Sequence, residues 1–328
     1  MLHAFIKYLL RNQLLLALFL IILFWFIVQI RGIIVSIFLS YIIMAAVLPA
    51  VKFLQRKKFP KVFAVLIPYF GVITAIFLLV LPLIPFFTEQ IQSLVMNFPV
   101  FLDRTASSLG LSLESKQIEA YLTAESHSLG EGAVNVTTQV FGGIFSVITI
   151  FVVSFYLLMY HEDFKKALAN LFHDGSKSFV ITTIDRINEK LGAWLRGELV
   201  LMLFIGFFSW IGLTILGLPY ALPLALLAGL LEIIPTLGPI ISAIPAVIVA
   251  FTISPTMAIT VIVLYLLIQA LENQLLVPKV MQKAVGLNPV IVILSIMIGA
   301  RLMGIPGALL AIPFISFIIV IINSIQER

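Results

Sequence analysis

The sequence predicts an all-α polytopic membrane protein of about six transmembrane helices plus two inverted re-entrant helical hairpins. Three observations lead there. Apolar residues make up 62% of the 328 positions and charged residues 11%, whereas a soluble domain is about half apolar and about a quarter charged. Apolar runs long enough to cross a hydrocarbon layer of about 30 Å recur along the chain, and the short polar connections between them hold most of the basic residues. Two further apolar stretches, in the last third, are broken mid-course by proline, glycine and a charged residue.

The first 87 residues read as a three-span scaffold. His3, Lys7 and Arg11 precede a run from Gln13 to Ile30, and Arg31-Gly32 turns the chain into a second span from Ile33 to about Val51. The N-terminal run is too long for a cleavable signal, has no small-residue cleavage site after it and leads straight into another span. Lys52, Arg56, Lys57, Lys58 and Lys61 form the densest basic cluster. The bias of Lys and Arg toward the cytoplasmic side puts this cluster, and with it the N-terminus, inside. The third span covers Val62 to Phe87.

Residues 88–135 are polar and acid-rich, with apolar positions at three and four spacing. They read as an extracytoplasmic loop of short amphipathic helices. A third region, 136–198, holds the fourth span, Val136 to Tyr160, in which Gly142-Gly143 would let a neighbouring helix approach closely. It continues as a polar cytoplasmic segment. Ile181, Ile184, Ile187, Leu191 and Leu195 recur at helical spacing there, an amphipathic helix leading into the fifth span, Leu199 to Leu216. His161 and His173 lack the spacing of a zinc site and read as solvated surface residues.

Residues 199–328 form the candidate transport region, with broken hairpins at 219–251 and 288–323. The breaks are Leu231-Glu232-Ile233-Ile234-Pro235-Thr236-Leu237-Gly238-Pro239 and Gly299-Ala300-Arg301-Leu302-Met303-Gly304-Ile305-Pro306-Gly307. Proline removes a backbone donor and glycine frees the backbone, so each break exposes peptide groups that lipid cannot satisfy. Each also carries a charge, at least about 3 kcal/mol unfavourable at bilayer depth. Such features are tolerated where protein or a wet cavity surrounds them. The two segments correspond in order: Gly217-Leu218 and Ala243-Ile244-Pro245 in the first, Gly286-Leu287 and Ala311-Ile312-Pro313 in the second. Paired interrupted segments mark the binding site of many secondary transporters. If the first hairpin enters and leaves outside, the span Thr256 to Gln274 runs inward and Lys279 and Lys283 fall in the cytoplasm. The second hairpin then enters from that side, and the tips meet near the midplane.

Candidate substrate-binding residues follow from the breaks: Glu232, Pro235, Thr236, Gly238 and Pro239 in the first, and Asn288, Gly299, Arg301, Gly304 and Gly307 in the second. Glu232 could take a proton, coordinate a cation or accept a hydroxyl; equally, it could pair with Arg301 and lock the hairpins together. Gln269, Glu272 and Asn273, at three and four spacing, form a polar stripe that either lines a pathway or sits at the membrane interface. Trp25, Trp194 and Trp210 read as interface anchors or packing.

The run Gly217-Leu-Pro-Tyr, Gly229-Leu-Leu-Glu232-Ile-Ile-Pro235-Thr-Leu-Gly238-Pro239, then Glu272-Asn-Gln-Leu-Leu-Val-Pro278-Lys279, Gly286-Leu-Asn-Pro289 and Gly304-Ile-Pro-Gly307-Ala-Leu-Leu-Ala-Ile-Pro313 resembles the AI-2E, or autoinducer-2 exporter, transporters. The likeness covers nearly the whole chain in span layout and is specific in the last third. It implies an all-helical homo-oligomer, a pentamer in family members, with two hairpins that bind substrate and move in an elevator-like way. Some members are assigned export of autoinducer-2 and others sodium/proton exchange. Before the fifth span the family commonly shows Gly-Gln where this chain has Gly197-Glu198; the extra acid suits cation coupling or faces the cytoplasm.

The expectation is a secondary transporter that exports a small polar solute across a bacterial inner membrane, with both termini cytoplasmic. A cation/proton antiporter of the same fold and a non-transporting scaffold are the alternatives. No cofactor, metal or nucleic acid is expected beyond a coupling H⁺ or Na⁺. The net charge of +5 is explained by the basic residues beside the spans, and the absence of cysteine excludes disulfides, thiolate metal sites and Cys nucleophiles. With no catalytic or nucleotide-binding motif in the sequence, an enzyme is not expected.

Overall fold

The computed structural model describes residues 13–80, 143, 146–235, 237–279, 286 and 288–327. All regular structure among them is helical. Helix α1 (Gln13–Gln29) and α2 (Arg31–Arg56) meet at Ile30. Lys58 adopts a left-handed backbone, Phe59 N–H closes the end of α2 on the Leu54 carbonyl at 3.2 Å, and Pro60 prevents continuation. Helix α3 (Lys61–Val80) follows. Helix α4 (Ser146–Met159) bends by 72° into the short polar α5 (His161–Asn170). The expected loop at 88–135, and the parts of the third and fourth spans at 81–87 and 136–142, lie outside the described residues.

Helix α6 (Lys177–Ile215) is the element on which the rest is mounted. The expected amphipathic segment and fifth span are one continuous helix of 39 residues, about 58 Å long at 1.5 Å per residue. It packs against α2, α5, α7 (Ala221–Leu231), α9 (Pro255–Leu271) and α11 (Ile305–Gln326). Helix α8 (Leu237–Ile253) packs on both α7 and α9. Helix α9 runs on through a π-helical turn, Glu272–Leu276, to Lys279. Helix α10 (Pro289–Met303) folds back against α11. Two starts use the same device: Ser254 and Asn288 each cap the following helix by accepting a backbone N–H, and a proline takes the first helical position.

Five of these helices are long and apolar enough to cross a membrane, and a sixth span results if α4 and α5 count as one. Large apolar side chains point outward along them, among them Phe24 of α1, Phe70 and Phe77 of α3 and Leu266 of α9. That much exposed hydrocarbon fits lipid rather than water as the surrounding medium. The protein is a multi-pass, all-α membrane protein.

The two broken segments share a left-handed glycine at their openings, Gly217 and Gly286, and a proline within the second limb, Pro245 and Pro313. They differ in length and surroundings. Helices α7 and α8 are both shorter than a span, whereas α11 is of crossing length. The first hairpin packs on α6 and α9, and the second packs on α6, with Phe38 of α2 edge-on to Phe314 and Phe317. The turn at Gly304 lines a cavity of about 410 Å³ together with Arg31 and Gly32, at the first turn of α2. The second tip thus sits by the corner between α1 and α2, and the first against α6 and α9. The two hairpins are thus seated against different partners of α6, the first against α9 and the second beside α2.

Candidate functional site

The site is built on one face of α6. Leu191, Trp194, Glu198, Leu201, Ile205, Ser209 and Leu213 are all buried and recur at three and four spacing, a single stripe facing the core. Helix α7 runs against this stripe because both backbones lack bulk where they cross. A Cβ added at Gly229 would stand 2.7 Å from the Met202 carbonyl oxygen and 3.1 Å from Gly206 Cα, and one at Gly206 would lie 3.4 Å from the Ala225 carbonyl oxygen. Gly206 thus faces Ala225, and Gly229 faces Met202, so the helices are antiparallel. One turn past Gly229 on α7, and one turn before Met202 on α6, the same register sets Glu232 beside Glu198.

Helix α9 brings the third acid. Its buried stripe is Ala258, Val261, Tyr265 and Ile268, continued by Glu272 as the π turn begins. Leu264 fills the space above Gly212 of α6, which fixes the α6–α9 register. Glu198 and Glu232 are 0% exposed and Glu272 is 4% exposed. The carboxyls of Glu232 and Glu272 face one another within hydrogen-bonding range, and Glu198 lies close enough to act on both through its charge.

The electrostatics of this arrangement are one-sided. Among the described residues, no basic side chain contributes to the field at any of the three carboxyls. The nearest arginine in sequence, Arg196, points away: its Nη1 donates to the Ala46 carbonyl of α2 at 3.2 Å. Neither oxygen of Glu198 or Glu232 has a hydrogen-bond donor among the described residues. A carboxylate so placed carries a large desolvation cost with no compensating partner, and like charges in contact add to it. A proton shared between Glu232 and Glu272 would supply the missing donor, and a bound cation would supply the missing charge. Among the described residues no group of three or more His, Asp or Glu side chains converges closely enough to hold a metal ion. The arrangement is a pair in contact with a third acid at longer range.

The remaining candidate residues divide between two places. Pro235, Gly238 and Pro239 form the turn that carries Glu232; Gly238 and Pro239 are buried and Pro235 half-buried. Gly238 lies directly on the Leu231 carbonyl, so the absence of a side chain lets the chain reverse there. Thr236 lies outside the described residues. Gln269 is half-buried on the shoulder of the α9 stripe, while Asn273 is exposed. At about 100° per residue Gln269 borders the line through Tyr265, Ile268 and Glu272, roughly 60° from Glu272, while Asn273 is turned roughly 100° from Glu272 and leaves that face. Asn288 is exposed and serves as the helix cap described above. Gly299, Arg301, Gly304 and Gly307 belong to the second tip. Arg301 is exposed and Glu232 buried, and no ion pair joins them among the described residues. Glu232 therefore does not lock the hairpins together through Arg301.

Two other expectations change. His161 is buried, at 5% exposure, beneath the α4–α5 bend, because that bend folds it toward α6; His173 is exposed. Of the three tryptophans, Trp194 is core packing, while Trp25 and Trp210 face outward. The residue missed as part of the site is Glu198. It falls on the same three-and-four stripe as Leu191, Trp194, Leu201 and Ile205, but in a membrane an apolar stripe can face lipid as well as the core, so spacing alone does not place it.

A family model described as AI-2E family transporter matches residues 14–327. The chain belongs to the AI-2E transporter family. Among its relatives, the "Putative transport protein YrrI" of Bacillus subtilis (strain 168) is 27% identical over 309 residues, covering 88% of this chain and 85% of the relative. The "Putative transport protein YueF" of the same organism is 27% identical over 284 residues, 81% of this chain and 76% of the relative. The "Putative permease PerM" of Escherichia coli (strain K12) is 38% identical over 140 residues, 42% of this chain and 40% of the relative. As an AI-2E family member the protein is a membrane transporter. Its three acids lie on the AI-2E helices that carry the broken segment and its supports.

Proposed function

We propose that this protein is a proton-coupled secondary transporter in which Glu232, held on the α7–α8 hairpin against Glu272 and Glu198, binds and releases the coupling proton. One observation carries the reading: a buried pair of carboxyls, with a third buried acid nearby, stands at a helix break with no ion-pair partner among the described residues. Intramembrane acids are costly, and in carriers they mark proton or ion routes. The solute is a small polar molecule and the direction is export, in line with the autoinducer-2-like cargo that the family description suggests. Sub-span hairpin limbs meeting α6 through Gly206 and Gly229 suit an elevator-like displacement of that hairpin. No cofactor is needed beyond the coupling ion.

The basic run from Lys52 to Lys61 supports a bacterial inner-membrane orientation with both termini cytoplasmic. A homo-oligomer, a pentamer by family resemblance, completes the assembly.

The test is the purified protein in liposomes, assayed separately for efflux of a furanose-like solute and for sodium/proton exchange. Solute efflux that accelerates with an opposing proton gradient supports the proposal. Sodium/proton exchange without solute flux replaces it with the antiporter reading. Flux of neither kind, with Glu232→Gln indistinguishable from the parent protein, leaves a scaffold.

A further inference from the structure

Beyond the carboxyls, the same core holds polar groups that transport of a solute does not by itself explain. The hydroxyls of Ser209 on α6 and Tyr265 on α9 are buried and have no hydrogen-bond partner among the described residues. Both lie on the stripes that carry the acids, Ser209 on that of Glu198 and Tyr265 on that of Glu272. The contact of Gly212 with Leu264 sets them at a common level, since Ser209 is one turn from Gly212 and Tyr265 adjoins Leu264. Around them stand Ile205, Leu213, Leu224, Ala228, Val261 and Ile268, an otherwise apolar cluster. An unpartnered hydroxyl in such a cluster weakens the fold, and a phenylalanine or alanine would avoid the cost.

Between Tyr265 and Glu272 stands half-buried Gln269, four residues from one and three from the other. Successive steps of four and three on a helix are neighbours, roughly 5–6 Å apart. A polar ladder therefore runs along α9 to the carboxyl pair, with Ser209 facing its far end.

We infer that Tyr265, Gln269 and Ser209 form a proton access route to the Glu232–Glu272 pair, bridged by water. This rests on the proton-coupled reading of the site. A hydroxyl or water passes a proton by accepting one at its oxygen and releasing its own to the next acceptor, so each relay member is unchanged. The proton that arrives ends on a Glu232 or Glu272 carboxylate oxygen; the one that leaves follows the reverse path. Charged groups facing the route are Glu198, Glu232 and Glu272, the same three acids.

The experiment is time-resolved infrared spectroscopy of the full-length protein in lipid after a pH jump, following the carboxylic-acid carbonyl band. Glu232→Gln must first reduce that band in amplitude. If the unmodified protein shows no pH-dependent band, or Glu232→Gln leaves it intact, the proton-coupled reading itself fails. With the band assigned, Tyr265→Phe and Gln269→Leu should slow its appearance by about tenfold or more while leaving its amplitude unchanged, and Ser209→Ala should slow it less. Tyr265→Phe should at the same time unfold at an equal or higher temperature, because the orphan hydroxyl is gone. Unchanged rates in all three variants, or a loss of amplitude in Tyr265→Phe, overturn the route. Should Tyr265→Phe fail to fold, the other two variants decide.

Discussion

Gly299 and Gly307 each occupy the space that the other's side chain would need. A Cβ added at Gly299 runs into the carbonyl of Gly307, and one added at Gly307 runs into the carbonyl of Gly299. The pair brackets Gly304, whose φ of 64° and ψ of −143° suit glycine alone. Close backbone contact here is what turns a 15-residue helix straight back into a 22-residue one. Alanine at either 299 or 307 should cost about 1–3 kcal/mol through overpacking. Thermal unfolding of the detergent-solubilised variants checks this. Unchanged midpoints for both would mean that the two helices separate freely.

Glu232→Gln keeps the shape of the side chain but cannot exchange a proton. Proton-driven flux should fall at least tenfold, with about a hundredfold as the central expectation for removing a group that must gain and lose a proton. The residual flux should lose its pH dependence. Liposome flux measured across the pH range gives both results, and retained pH-dependent flux would remove Glu232 from the coupling step.

His161 lies outside the apolar spans, at the start of α5. Its ring is surrounded by Glu162, Lys52, Lys165 and Asp185, and burial holds its pKa below the ordinary histidine range. The unfolded chain then binds a proton at a higher pH than the folded one. Above about pH 6.5 the neutral ring's contribution to stability is intact, and it is lost as pH falls through the lower folded value. Melting temperatures of the native protein should therefore drop on acidification below about pH 6.5 more steeply than those of His161→Gln. Parallel curves would show that this histidine takes no part.

Arg186 of α6 meets Glu327, just past the end of α11, at 2.5 Å, with both side chains well exposed. Exposed ion pairs contribute about 0–1 kcal/mol and weaken with salt. Arg186→Ala should shift the unfolding midpoint by no more than a degree or two at moderate salt, about that range converted through the unfolding entropy. A large loss would mean that this contact anchors the C-terminal end of α11.

How far the site was legible depended on whether a residue's role is local. Gly304 and Asn288 were read as candidate substrate-binding residues; locally, Gly304 makes the turn of the second break with a backbone that suits glycine, and Asn288, followed by Pro289, is an exposed helix cap. Gln269 and Asn273 follow from angular position along α9: Gln269 borders the buried line through Tyr265, Ile268 and Glu272, while Asn273 turns out of it and is exposed. Glu198 was noticed as an unusual acid, yet its burial depended on which face of α6 receives α7, a matter of helix packing. His161 reads as a polar residue in a polar segment until the 72° bend folds it inward.

By itself the sequence determined that this is a multi-pass helical membrane protein with two interrupted segments, because backbone hydrogen bonding in lipid admits few alternatives and proline, glycine and hydropathy act locally. Only the tertiary structure decided which charges meet. Glu232 and Arg301 stand in matching breaks but are held by different neighbours. Glu198, Glu232 and Glu272 come together because the glycine crossing of α6 and α7 sets the break after α7 beside Glu198, and the buried stripe of α9 ends on Glu272.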